Sequence, residues 1–413
     1  MKKTILFSIL ILLLISITGH ANYSSVSYFP GTIELMQRNP GLLGATPYSF
    51  EFQFNPVAAG LGNNSWTAYQ ILDHMNEYWD QETKEEILGS IPDSGFNFGV
   101  DQKSDLFLGG GSWGLQAGLR GNTNLNLDKQ IFEILLEGTD LELEVDLQNT
   151  YAKGSLIANS GVSKAFSIDR IAGWMNWENF YLGTGLNYLH GLAWVDAESV
   201  GKAQLNYEED DTSLTGEAQI EMLYSHIMED GGGQGFAVDV GIWGQPTSRL
   251  SIGLSLTNMG MIEWSGVYRS QLEGEFVLEH PLLIEEDEDM FKSDFEEIEE
   301  PELIAEPVVE STPVFLNTEF CYRINPRLQL AGGMNLSEEY NKFTIGSHFR
   351  YPKFLPLTVM VDYDTKYNEP NISAALGLHI KGWEVINVSF SDLGLISGHS
   401  KKASVSVSTA LRF

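Results

Sequence analysis

The last residues of the chain set its pattern. Ala403, Val405, Val407, Thr409, Leu411 and Phe413 occupy one phase, and Ser404, Ser406, Ser408, Ala410 and Arg412 the other. Side chains alternate faces along a strand, so one face is apolar and the other polar. About ten residues is the span of a tilted transmembrane strand. The same period of two recurs upstream, from Phe180 to Tyr188, Phe236 to Ile242, Leu250 to Leu256, Val314 to Tyr322, Leu357 to Tyr363 and Ile372 to Ile380. The repetition predicts an all-β fold, a transmembrane antiparallel β-barrel of about 14 strands. The apolar phase would face lipid and the small or polar phase the lumen. Closure is a physical requirement, because an open sheet edge leaves backbone groups unbonded in hydrocarbon. Tyr188, Trp194, Trp243, Trp264, Tyr351 and Trp383 fall near predicted strand ends, where they either form interfacial girdles or pack short turns.

Two regions break the rhythm. Residues 22–95 hold the polar turn Arg38-Asn39-Pro40, a small apolar stretch through Leu42 and Leu43, and an alternating strand from Tyr48 to Phe54. Trp66, Tyr69, Leu72, Met75 and Trp79 then recur at helical spacing, with Ile71 beside Leu72. A second short helix begins near Thr83, with Thr83 and Glu86 as a capping box, and ends at Ser90-Ile91-Pro92. Asp128 to Gly138 is a further helical insertion. A helix is no part of a strand wall, so such segments sit in the lumen, at the mouth or in a turn. The other region is residues 284–306, where twelve of 23 residues are Asp or Glu. Like charges this dense repel and stay solvated, which predicts a long, mobile loop on the extracellular side. Its run Glu285-Glu286-Asp287-Glu288-Asp289 has no Gly and lacks the spacing of a calcium loop.

Composition narrows the function. The 413 residues carry 24 Lys+Arg against 56 Asp+Glu, a net charge of -32. That argues against nucleic-acid binding, which needs a positive surface against phosphate. Met1-Lys2-Lys3, the apolar run from Ile5 to Ile17 and Gly19-His20-Ala21 read as a cleavable secretory signal over residues 1–21. The remainder divides into a plug-like segment with a first strand and helices, 22–95, and the rest of the barrel, 96–413, including the acidic loop 284–306. Cys321, the single cysteine, rules out a disulfide framework and Cys-cluster metal sites within one chain, and reads as a lone lumen or core thiol. His348 and His379 fall on neighbouring strand candidates opposite the apolar phase, as solvated wall residues or as a lumen pair. The Gly triplets at 109–111 and 231–233 are not followed by Lys-Ser/Thr and read as turns. The expectation is no enzyme, no cofactor and no metal.

The signal, the Asn39-Pro40 turn, the helical insertions and a terminal Phe413 together resemble the FadL-type transporters of hydrophobic compounds. In that family an N-terminal segment with an Asn-Pro-Ala turn plugs a fourteen-stranded barrel. Here Gly41 replaces the Ala, and Asn55-Pro56-Val57 is a second, weaker match. The stretches Thr83–Leu88, Ile134–Gly138 and Leu254–Trp264 are also similar to an uncharacterised group of predicted outer-membrane proteins. The resemblance implies residence in the bacterial outer membrane, surrounded by its lipid, with Phe413 read by the barrel-assembly machinery. It implies passive transport of a small hydrophobic ligand, with Asn39, Pro40, Leu42, Leu43, Trp66, Ile71 and Leu72 as plug or ligand-lining candidates. The same architecture also includes a shuttle for secreted cargo, so the alternative is a non-transporting scaffold for a secretion-system or surface-assembly protein.

Overall fold

The computed structural model describes residues 33–413 except 68, 71–79, 138–143, 147–148, 209–210, 227–230, 280–290, 298–300, 339, 351–352, 367–368, 382 and 392–399. The expected signal over 1–21, together with Ile71, Leu72 and Tyr351, lies outside the described residues.

The wall begins with β1 (Glu51–Asn63), β2 (Phe96–Gly110) and β3 (Trp113–Leu127). After the short β4 (Glu144–Asp146) come β5 (Tyr151–Ser167) and the thirty-residue β6 (Asn179–Glu208). β7 (Asp211–His226) leaves the wall, and β8 (Gly232–Thr247) and β9 (Leu250–Ser265) rejoin it. β10 (Tyr268–Glu279), β11 (Phe291–Glu297), β12 (Glu302–Leu303) and β13 (Val308–Ser311) belong to the outer region. β14 (Phe315–Asn325), β15 (Leu328–Leu336), β16 (Asn341–Phe349) and β17 (Leu357–Asp364) continue the wall. β18 (Glu369–Ile380), β19 (Trp383–Ser391) and β20 (Lys402–Arg412) finish it. β20 pairs antiparallel with β1, so fourteen strands close on themselves.

Polarity is inverted relative to a water-soluble core. Along β17 the exposed residues are Leu357, Val359, Val361 and Tyr363, while Thr358, Met360, Asp362 and Asp364 are buried. An apolar outside around a polar inside is stable in a bilayer and not in water. Pro56 shows how the wall tolerates a missing N–H. The register shifts around Asn55–Val57 against both β2 and β20, so the second Asn-Pro is a wall bulge and no part of the plug. The turns 111–112, 248–249 and 326–327 and both ends of the wall lie at one rim, which is therefore periplasmic. There Arg412 donates to Glu51 at 2.7 Å and to Glu384 at 2.9 Å, and the backbone of Phe413 bonds Phe50 and Ser49 across the closing seam.

Several expectations are corrected. Trp243 and Trp264 are 1% and 0% exposed and Trp194 is also buried, so none belongs to a girdle. Trp243 shares the lumen phase of Asp239 and Gly241, and Asn258 at φ 62 resets the phase before Trp264. Tyr188 and Trp383 do face outward. His348 and His379 are not on neighbouring strands, because β17 lies between β16 and β18. The helix after β1 spans Gln81–Ser90 and is capped by Asp80, which accepts from Thr83 N and Oγ1 at 2.9 and 2.8 Å, and not by Thr83 itself. The insertion at Lys129–Glu137 is helical as expected, and Asp169–Met175 adds a helix that the pattern did not reveal. Within the acidic segment, Phe291–Glu297 is a strand paired with Leu272–Leu278 of β10. A ladder partner satisfies backbone groups that a charge count does not register. β6 pairs with β8 below Ala193 and with β7 above it, and β7 pairs with β10, so the sheet continues beyond the outer rim.

Candidate functional site

The site is built by the residues ahead of β1. Two 3-10 turns, Ile33–Gln37 and Pro40–Ala45, lie inside the barrel, and residues 34–43 are all buried. Asn39 separates the turns in an extended conformation, and its Oδ1 accepts from Gly41 N at 2.9 Å. Pro40 follows at the first position of the second turn, where its missing N–H costs nothing and its fixed φ suits the turn.

Directional bonds fix the plug to the wall on several sides. Arg38 Nε meets Glu319 Oε1 of β14 at 2.9 Å, with both side chains almost fully buried. The carbonyl of Arg38 accepts from Ser255 Oγ at 2.5 Å and from Asn317 Nδ2 at 3.2 Å. Asn39 Nδ2 donates to Ile242 O at 3.0 Å. Gln37 donates to Asp105 at 3.2 Å and accepts from Lys103, while Gln53 donates to Glu34 at 2.8 Å. Apolar contacts fill the rest. Leu35 and Leu42 pack with Trp243, and Met36 and Leu43 with Phe107 and Ala165.

Three wall glycines make room for this approach. A Cβ on Gly183 would stand 2.1 Å from both Pro40 C and Gly41 N, and one on Gly241 would stand 2.1 Å from Asn39 Oδ1. One on Gly253 would meet Trp243 at 2.6 Å and Asn39 Nδ2 at 2.8 Å. The turn Asn39-Pro40-Gly41 therefore rests on a floor where backbone replaces side chain.

Glu34 is the titratable group of the plug. Burial pushes its carboxyl above the ordinary range, opposed in part by Lys103 and by the bond from Gln53. Seating the plug therefore favours the protonated carboxyl over the ionised one. Its hold is fullest below the ordinary carboxylate range and weakens as pH rises through the raised value. Hydrogen-exchange protection of residues 33–45 is expected to be greater at pH 5 than at pH 8, and Glu34→Gln to flatten that difference. Equal protection at both pH values in the unaltered protein would remove Glu34 as the sensor.

Of the sequence candidates, the structure brings Asn39, Pro40, Leu42 and Leu43 together in the plug. Trp66 is elsewhere, at the outer end of β1, tilted against Phe96 at 4.7 Å and edge-on to Phe132 at 5.6 Å. Ile87 and Leu88 of the Gln81–Ser90 helix join that group. A second apolar group, Trp194 and Trp264 with Leu189 and Ile262, lines the outer lumen. A polar layer spans the wall between this group and the plug, where Gln116 bonds Asn187 and Asn187 donates to Asp239 at 2.7 Å. Cys321 is buried in the lumen phase against Ala331 and Met360. The sequence reading missed Glu34, Gln37, Arg38, Glu319 and the three glycines. A charged Glu319 in the inward phase of a wall strand was the available signal, since a buried charge needs a partner.

A closed barrel in the outer membrane with its own N-terminal segment lodged in the lumen is a plugged outer-membrane β-barrel. The chain belongs to the family of unknown function (DUF5723), whose model matches residues 40–389. Among solved structures it is similar to a Pseudomonas aeruginosa FadL homologue, at 12% identity over 96% of this chain and 98% of that one, with a TM-score of 0.50. It is likewise similar to the CymD monoaromatic hydrocarbon channel, at 10% identity over 96% and 97%, with a TM-score of 0.50. At these identities the likeness concerns the fold. No curated protein matches the chain.

Proposed function

We propose that the protein admits small hydrophobic molecules through the outer membrane, with residues 33–45 as the movable obstruction. The observation that carries this reading is the plug itself. A short segment is held inside the lumen by side-chain contacts to several strands, and so can leave without dismantling the wall. Apolar groups along the path support a hydrophobic cargo. Trp66, Phe96 and Phe132 stand at the outer mouth, Trp194 and Trp264 line the outer lumen, and Leu35 and Leu42 belong to the plug. An apolar molecule loses water at the mouth, passes inward and leaves when the plug shifts. The related fold of a monoaromatic hydrocarbon channel makes toluene the first probe and a long-chain fatty acid the second. Proteoliposomes are expected to take up at least one of them several-fold faster than empty liposomes. No uptake of either above that control would overturn the reading.

One observation favours a second reading, a docking scaffold. The sheet of β6, β7, β10 and β11 projects past the outer rim and carries part of the acidic segment. A basic surface or secretion partner docked there would lose both affinity and salt dependence on deletion of residues 284–306.

A further inference from the structure

The two rims of the barrel differ in charge. The outer connections 64–95 and 128–150 each carry seven Asp or Glu against one Lys. The periplasmic rim is the reverse. Six short connections join the wall strands there, one every second strand around the circumference. Five carry an exposed base of their own, namely Arg170, Arg249, Arg327, Lys353 and Lys381. The sixth, at 111–112, receives the exposed Lys164, whose Nζ donates to Ser112 Oγ at 3.3 Å. Against them stand only Asp169 and Glu178 among the described residues of these connections. In a chain of net charge -32, this is a marked segregation.

We propose that this ring binds the phosphate groups of anionic phospholipids in the periplasmic leaflet. Its distribution argues for lipid, because a protein partner would be met by one patch, whereas these bases are spaced around the whole perimeter. The ring also continues the lipid-facing surface. Exposed Trp174 (84%), Phe413 (66%), Phe354 and Trp383 lie at the same rim, and aromatic rings of this kind settle at headgroup level. Long basic side chains above such a belt reach the phosphate plane, where anionic lipid attracts them. These bases are distinct from the residues that hold the plug and close the seam, so this inference is independent of transport.

The test places the folded barrel in nanodiscs containing equal phosphatidylglycerol and phosphatidylcholine, and reads the retained lipids by native mass spectrometry. Phosphatidylglycerol is expected to be enriched several-fold on the protein. The variant Arg249→Gln/Arg327→Gln/Lys353→Gln/Lys381→Gln is expected to retain the two lipids in the bulk ratio, while its heat-modifiable gel band shows an intact barrel. Should that variant not fold, salt decides on the unaltered protein. About 0.5 M NaCl screens exposed charges within a few ångströms and must collapse the preference. Bulk-ratio lipids on the unaltered protein, a preference that survives in the folded variant, or one indifferent to salt would overturn the proposal. So would an acidic protein held at the rim with no lipid preference.

Discussion

Arg38→Ala is expected to open the barrel. In the native protein the Arg38 guanidinium neutralises Glu319 at 2.9 Å, with the two side chains 2% and 4% exposed. Removing one member of a buried pair costs about 3–5 kcal/mol, because the other charge stays behind without its counter-ion. Glu319 recovers its hydration only if water enters, and water enters if the plug leaves. Loss of about 3 kcal/mol would raise the released population by two orders of magnitude. The remaining bonds do not compensate, since the Ser255 and Asn317 contacts run to the Arg38 backbone and depend on the same placement. In planar bilayers the unaltered protein is expected to remain closed to small ions and Arg38→Ala to conduct. The pair Arg38→Met/Glu319→Met sharpens the test. It deletes both charges and keeps their volume, so closure should return. A conducting double variant would show that the contact positions the plug by more than charge neutralisation.

The wall was legible because a barrel in lipid writes its period directly into the sequence. Phe236, Val238, Val240 and Ile242 all face outward as the alternation requires, and so do Ile252, Leu254 and Leu256 along β9. The readable signal weakened wherever phase changed. At Asn258 the register of β8 against β9 shifts, so Ile262 and Trp264 turn inward where an unbroken alternation would not place them. The outer sheet was illegible for another reason. Its strands are specified by pairing with β6 and β10, residues distant in sequence, and a run of acidic side chains gives no sign of a ladder partner.

The plug was legible in part. Asn39-Pro40 announces a tight turn, and Leu42 and Leu43 an apolar patch. Their receptor was not readable, because it is assembled from β1, β2, β6, β8, β9 and β14 by closure of the sheet. Glycines in strand segments normally weaken them, and their placement under a turn becomes meaningful only once the strands are side by side. Trp66 shows that nearness in sequence does not set place in the fold. It is close to the plug in sequence, yet the whole length of β1 separates it from Asn39 in the fold.

Gly183→Val tests whether that floor, rather than any single bond, seats the plug. Valine suits a strand, and Gly183 lies within β6 between β5 and β8, so the wall should still form. The turn above has no room, because a Cβ would come 2.1 Å from Pro40 C and Gly41 N, both backbone atoms that no rotamer change can move. The plug must rise as a unit. That lift would break the Asn39 bond to Ile242 and pull Arg38 from Glu319 together. Limited proteolysis is expected to cut residues 33–48 at least tenfold faster in Gly183→Val than in the unaltered protein, with the heat-modifiable band retained. Gly89→Ala is the control. It lies in the Gln81–Ser90 helix with nothing within 4 Å of its Cβ, and should leave the rate unchanged. If Gly183→Val folds and its plug resists protease as well as the native one, the directional bonds alone suffice to hold the segment, and the glycine floor has no part in its seating.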